Sequence, residues 1–310
     1  MRGNGYCRRW MPEWDAEVDV DEALARALIG DAYPTLDAEP LRLLGVGWDN
    51  TAWLAGESVV FRFPRREIAL PGIIREMVLL PQIAPRLPFA IPDAAYPGVP
   101  SSIFPWPWFG SALIPGHEIH ERGGLHDDSR QGLARDLGVF LHALHHFRVP
   151  DDADLPVDPN GRADMSARVP RTRSSLLELD PSGTLAARAA AILDLAETLP
   201  PTNDLVLAHG DLHFRHALID DRGGLAGIID WGDVCLSAAG IDLSLYWSLL
   251  LPRARHAFRS AYNEITEENL IRARVVALSL TALLALYGRD QKMSGVEHEA
   301  LQGIERTLID

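Results

Sequence analysis

The sequence predicts an α+β fold in two lobes, a small β-rich N-terminal lobe and a larger, mainly helical C-terminal lobe. Its 310 residues exceed the size at which a single hydrophobic core usually stops growing, which favours two lobes with a cleft between them. Short apolar runs broken by turn residues fill Leu41 to Phe63, whereas apolar residues at helical spacing dominate from Ser129 onward. A stretch rich in proline and aromatics, Pro85 to Trp108, separates the two regimes and ends in SALIPG at Ser111 to Gly116, the expected hinge. The lobes are therefore expected at residues 19–114 and 115–310, after a flexible tail at 1–18.

Each element has its own signal. Asp19 to Ile29 reads as a short helix, with acidic residues in the first turn and Val20, Leu24, Ala27 and Leu28 on one face. LRLLGVGW, TAWLA and SVVFRF, separated by Asp49-Asn50 and Gly56-Glu57, read as a three-stranded antiparallel meander. Pro64 stops the third strand. Helical spacing resumes over Ile68 to Ile83, with Ile73, Ile74, Met77, Val78 and Leu80 expected on the buried face. Ser129 to Phe147 carries Leu133, Leu137, Phe140, Leu141 and Leu144 on one face, and Thr184 to Leu199 is rich in alanine, so both read as helices. Short apolar runs return from Leu205 to Ile229, and helices dominate from Ile241 on.

Composition narrows the function. Hydrophobic residues make up 47% and charged residues 23%, enough for a proper core and far from the signature of disorder. A formal charge of −14 argues against a general nucleic-acid binder and suits a cationic partner. Cys7 and Cys235 stand far apart in unrelated contexts, so neither a disulfide framework nor a thiolate metal site is indicated, and a reducing, cytoplasmic setting is expected. The longest apolar stretch, Val275 to Tyr287, is shorter than the ~20 residues a membrane span needs and reads as a core helix. The N-terminus has arginines with no apolar run behind them, unlike a secretory signal, and Met11 is a candidate start.

The most informative segment is LVLAHGDLHFRHALIDDRGGLAGIIDWGD, Leu205 to Asp233. Apolar runs at Ala217 to Ile219 and Leu225 to Ile229 flank a turn at Asp220 to Gly224 and predict a hairpin. Closing it brings Asp211 and His216, before the first strand, to the same edge as Asp230, at the end of the second. A carboxylate base then stands beside two metal ligands.

This arrangement resembles the catalytic loop and metal motif of the kinase fold, with Asp211 in the base position, His216 where asparagine usually stands, and Asp230-Trp231-Gly232 in place of Asp-Phe-Gly. With His-Gly-Asp at His209 to Asp211, the likeness is to the aminoglycoside and macrolide phosphotransferase family, and His216 looks most like the macrolide branch. It extends roughly from Leu41 to Asp290, through VFRFPRR and RLPFAIPDA to HGDLHFRHALID and GIIDWGD. The resemblance implies a protein-kinase-like fold and transfer of the γ-phosphoryl group of ATP or GTP, with Mg²⁺, to a hydroxyl of a small molecule. An amine-bearing antibiotic, macrolide or aminoglycoside, is the expected acceptor, with a kinase of an ordinary metabolite as the alternative. Asp211 would orient the hydroxyl, and His216 and Asp230 would hold the metal. Asp242 matches the family's aspartate that braces the catalytic loop, although Ala238 and Ala239 replace its usual acidic and proline neighbours.

The first lobe supplies an independent test, because a kinase-type lobe needs a cation on its third strand and a glutamate on the next helix to hold it. Arg62 and Glu76 occupy those places. Lys292 is the only lysine, so an arginine must serve, and its fork suits both phosphate and carboxylate. The nucleotide is expected against Ser111, Ala112, Leu113 and Ile114 of the hinge. GVGWDN at Gly45 to Asn50 is a partial glycine-rich loop, in which Asn50 reads as a turn residue. Arginines exceed glutamates between Phe61 and Ala90, while aspartates exceed arginines between Pro201 and Leu250, which assigns phosphate to the first lobe and metal and amine to the second.

Two other readings compete. His209, Asp211, His213 and His216 form a His/Asp cluster of the kind that holds zinc, as in a metallohydrolase. A non-catalytic nucleotide-binding protein on the same fold is the other, and a scaffold has no need of a base such as Asp211. His213 reads equally as a loop brace or a substrate contact, and His142, His145 and His146 as ordinary helix-end residues. No segment resembling a protein kinase's peptide platform follows Asp230.

Overall fold

The computed structural model describes residues 16–47, 49–122, 127–150 and 153–309. Cys7, Met11, Trp48 and most of the expected tail lie outside the described residues. The chain divides into two units, one running to Pro81 and taking up again over Asp93–Leu113, the other comprising Gln82–Pro92 and the chain from Ile114 onward.

In the first unit, helix α1 (Glu22–Ala32) begins where the Asp21 carboxylate accepts the N–H of Leu24 at 2.8 Å, three residues after the expected start. Just ahead of it, the N–H groups of Glu17 and Val18 donate to Arg65 O, so the end of the expected tail is tied down. Strands β1 (Leu41–Val46), β2 (Asn50–Ala55) and β3 (Val59–Pro64) form the expected meander. With β4 (Tyr96–Gly98) and β5 (Trp108–Ala112) they make an antiparallel sheet in the order β1-β2-β3-β5-β4. Trp53, Phe61, Phe63, Phe104 and Trp108 close over Ala25, Leu28 and Ile29 of α1. The Phe63 and Trp108 ring centroids lie 5.0 Å apart.

Helix α2 (Leu70–Ile83) corrects one expectation. Ile73 and Leu80 are buried as expected, but Ile74 is 51% and Val78 62% exposed. The period was legible and its phase was not: at 3.6 residues per turn Ile73, Glu76, Leu80 and Ile83 share one face, and Ile74 and Val78 fall off it. The carboxylate of Glu76 thus occupies a place that sequence reasoning filled with apolar side chains.

The second unit is mainly helical. α3 (Asp127–His145) buries Leu133, Leu137, Phe140, Leu141 and Leu144, the face its spacing predicts. α4 (Met165–Leu179) was not anticipated, because Pro170 interrupts its pattern, yet Asp164 caps it by accepting from Ser166 N at 3.0 Å. α5 (Thr184–Glu197) follows as expected. Short α6 (Ser244–Ser248) and α7 (Pro252–Tyr262) lead to α8 (Glu267–Asp290) and α9 (Ser294–Leu308). The stretches Glu67–Arg86 and Glu267–Asp290 are long and apolar enough, by length and composition, to cross a membrane. In the fold α8 spends its apolar residues on α4, α6 and α9.

Two small sheets carry the loops that matter. β6 (His117–Glu118) pairs with β8 (Ala217–Ile219), which pairs with β9 (Leu225–Ile228), while β7 (Val206–Ala208) pairs with β10 (Cys235–Ser237). Ile228 N donates to Ala90 O at 2.9 Å, which attaches the segment Gln82–Pro92 to this unit.

Candidate active site

The loop from β7 to β8 is held by its own backbone and by one buried aspartate. Asp242 accepts the N–H of His209 at Oδ2 (2.7 Å) and of Gly210 at Oδ1 (3.0 Å), the bracing role expected of it. Burial alone would raise its pKa, but the hydrogen bond and charge of His145 and the charge of His209 hold it below the usual carboxylate range. Gly210 sits at φ +90°, and a Cβ there would stand 2.1 Å from Asp233 O, so only glycine fits. Ser244 Oγ donates to Leu212 O at 2.7 Å. His209 donates from Nε2 to Ile229 O (3.0 Å) and accepts the N–H of Asp211 at Nδ1 (3.2 Å), so both ring nitrogens are spent on the loop.

Hairpin closure works as the sequence suggested, with Ile229 N donating to His216 O at 2.9 Å. His216 Nδ1 lies 2.8 Å from Asp211 O, and a carbonyl only accepts, so Nδ1 carries a proton. Nε2 is thereby turned toward Asp230, 3.4 Å from its Oδ2. Asp230 has φ +65°, a left-handed conformation uncommon for a residue with a side chain and frequent at functional sites. Burial opposes protonation of His216, but the hydrogen bond and charge of Asp230 and the charge of Asp211 prevail and raise its pKa above the ordinary value.

The His/Asp cluster is real as geometry, since donor atoms of Asp211, His213 and His216 all lie within 4.8 Å of one another. Its chemistry is less suited to three imidazole ligands. His213 Nδ1 accepts the N–H of Arg215 at 3.3 Å, which puts its proton on Nε2, the nitrogen 3.8 Å from Asp211 Oδ2. Burial and the charges of His216 and Arg215 press its pKa well down, so the ring is neutral and packs against His216, tilted by 32° with centroids 3.8 Å apart. His213 Nδ1 braces the loop, whereas Nε2 of His216, the ring nitrogen left without a backbone partner, faces Asp230.

Sequence reasoning missed Arg162 and its partner Asp233. Nη1 of Arg162 donates to Gly210 O (2.6 Å) and Asp233 Oδ2 (2.7 Å), while Nη2 lies 3.0 Å from Asp211 Oδ1. Burial works against its charge, but Asp211 and Asp233 outweigh that and raise its pKa. His145 is also corrected: it is buried, with Nε2 3.2 Å from Asp242 Oδ2 and Nδ1 2.7 Å from the hydroxyl of Tyr262, and is no idle helix end. No local motif marks either residue, because each meets its partner across a long separation in sequence.

In the first unit Arg62 Nη1 meets Glu76 Oε1 at 2.5 Å, and Glu76 is fully buried. The Arg62 guanidinium lies over the Phe109 ring at 5.7 Å. The turn between β1 and β2 is closed by Gly47 N donating to Asn50 O at 2.9 Å, tied to Arg65 through Gly47 O, and paired to Arg66 through Asp49. Ser111 and Ala112 end β5, with Ser111 Oγ accepting from Ala94 N (2.9 Å), and Leu113 N donates to Ser58 O (2.7 Å). Ile114 opens the second unit, buried against Gly227. Arg62 with Glu76, and Asp211 with His216 and Asp230, are thus each brought together within one unit.

Comparison with known proteins agrees with this architecture. An aminoglycoside 3'-phosphotransferase of Streptomyces ribosidificus is 29% identical over 140 residues, 44% of this chain and 52% of that protein. The chain therefore spans about half the length of the curated relatives it matches. The GDP and kanamycin complex of APH(2")-IIIa superposes with a TM-score of 0.68 at 23% identity, covering 91% of this chain and 97% of the other. A macrolide 2'-phosphotransferase from Brachybacterium faecium gives 0.61 at 21% identity, with 91% and 97% covered. These likenesses establish a kinase-like phosphotransferase fold. Residues 40–275 match the family described as "Phosphotransferase enzyme family", and the chain belongs to it.

Proposed function

We propose that this chain moves the γ-phosphoryl group of ATP or GTP onto a hydroxyl of a small, amine-bearing molecule of the macrolide or aminoglycoside kind. The observation that carries the reading is the meeting of Asp211, His216 and Asp230 at one edge of the β8–β9 hairpin in a chain of this family. Asp211 takes the role of hydroxyl-orienting base. The acceptor oxygen forms the new bond to γ-phosphorus, the bond to the bridging oxygen breaks, the nucleoside diphosphate leaves, and the hydroxyl proton passes to the Asp211 carboxylate. Arg62, fixed by Glu76, is read as the phosphate-binding cation, with Ser111 to Ile114 serving the base. GDP and ADP complexes of structural neighbours support a purine nucleotide, and their kanamycin and gentamicin complexes support a cationic acceptor, which the charge of −14 favours.

The residues present fit Mg²⁺. His216 Nε2 and Asp230 Oδ2 are 3.4 Å apart, near the roughly 3 Å between adjacent ligands of an octahedral ion with ~2.1 Å bonds. His216 Nδ1 donates its hydrogen bond to Asp211 O, the arrangement that fixes a ligating imidazole. When bound, the ion would neutralise phosphate charge. The test is a coupled assay of the purified chain with ATP and GTP against a panel of macrolides, aminoglycosides and sugar alcohols. Transfer is expected to an amine-bearing acceptor, and Asp211→Asn is expected to lower kcat by roughly 10² or more with nucleotide affinity kept. Transfer to none of them, or an undiminished kcat in a folded Asp211→Asn variant, refutes the reading.

A further inference from the structure

Arg162 is the charged group of the site that the reaction as described leaves without a task. It stands in the turn before α4, where Asp158 accepts the N–H groups of Arg162 (2.8 Å) and Ala163 (2.9 Å), so the guanidinium leaves a fixed backbone. One planar group then reaches two carboxylates and the loop itself: Gly210 O at 2.6 Å, Asp233 Oδ2 at 2.7 Å and Asp211 Oδ1 at 3.0 Å. Asn160 Nδ2 donates to the other oxygen of Asp233 at 3.1 Å, so that carboxylate is itself held. The pair with Arg162 engages Oδ1 of Asp211 and leaves Oδ2 on the side of His213. Rotation of the Asp211 carboxylate would break the pair, so the side chain presents one oxygen rather than two. Asp233 shares the positive charge, so Arg162 orients Asp211 without cancelling its capacity to accept a hydrogen bond.

We propose that Arg162 is a positioning residue for Asp211, pairing with Oδ1 and anchored by Asp233 so that Oδ2 receives the acceptor hydroxyl. This rests on the phosphotransfer reading above. The test measures kcat, both KM values and nucleotide affinity on the full chain for Arg162→Ala, Arg162→Lys, Asp211→Asn and Arg162→Ala with Asp211→Asn. Arg162→Ala is expected to lower kcat about 10- to 100-fold while nucleotide affinity stays within about twofold, with part of the rate restored in Arg162→Lys. On the Asp211→Asn background, loss of Arg162 is expected to cost almost nothing further, a coupling that a merely structural role would not produce. If Arg162→Ala does not fold, Arg162→Lys alone and on Asp211→Asn supplies the same comparison. Wild-type kcat in the Arg162 variants, or a fully additive loss in the double variant, overturns the inference. Wild-type kcat in Asp211→Asn overturns the reading of the site instead.

Discussion

His145 Nε2 lies 3.2 Å from Oδ2 of Asp242, the same oxygen that accepts the N–H of His209. A residue of α3 thus supports the loop that carries Asp211, through a carboxylate wholly removed from solvent. His145→Leu removes a partner from a buried anion, which is costlier than removing the pair. A loss of about 2–4 kcal/mol is expected by urea unfolding, with an unchanged m value. A shift below about 0.5 kcal/mol, the range of ordinary surface substitutions, would contradict the bracing role.

Arg62 and Glu76 are expected to act as one unit toward nucleotide. Arg62→Ala and Glu76→Ala should each weaken nucleotide binding, and the two losses should not add. Nucleotide titrations of both single variants and the double variant close the cycle, and full additivity would mean that Arg62 and Glu76 act on nucleotide independently rather than as a pair.

The meeting of Asp211, His216 and Asp230 was legible because its parts are neighbours in sequence: Asp211 and His216 are five residues apart, and the hairpin that returns the chain to Asp230 announces itself by its turn. Arg162 was invisible for the opposite reason. Its contacts with Asp211 and Asp233 depend on where the turn before α4 comes to rest, which no local pattern encodes. On α2 the helical period was read correctly, but the phase was set by burial of Glu76 rather than by the apolar count.

With His216 as the proposed metal ligand, the proposed reaction is expected to show an acid limb. Its folded pKa is raised above 6.5, so in the metal-free protein its protonated form contributes stability below 6.5 that is lost as pH rises through the raised value. Metal requires the neutral ring, so activity should run the other way and fall as pH drops through that value. The measurement is kcat against pH at two Mg²⁺ concentrations, with the limb moving to lower pH at the higher one. His216→Asn should retain activity and lose the limb, whereas an asparagine variant as inactive as His216→Ala would exclude His216 as a ligand.

Glu118 pairs with Arg215 at 2.8 Å and with His120 at 3.1 Å. Burial would raise its pKa, but those hydrogen bonds and charges lower it to about 2. The contribution to stability is present above the ordinary glutamate value of 4.5 and disappears as pH falls toward about 2. Glu118→Gln should lower the melting temperature at pH 7 and flatten its decline between those limits. Parallel melting curves for the two proteins would show that the pair is indifferent to folding.

The first unit is discontinuous in sequence, because Gln82–Pro92 leaves it to join the second before Asp93 returns. A gene divided after Leu113 would therefore put Ala90 on one polypeptide and Ile228, whose N–H it accepts, on the other. The downstream fragment made alone would lack the backbone acceptor for Ile228, the last residue of β9, which stands two residues before Asp230. Co-expressed halves would have to reassociate to restore that edge, which makes this position suited to a split-protein reporter that reads association of the two fragments.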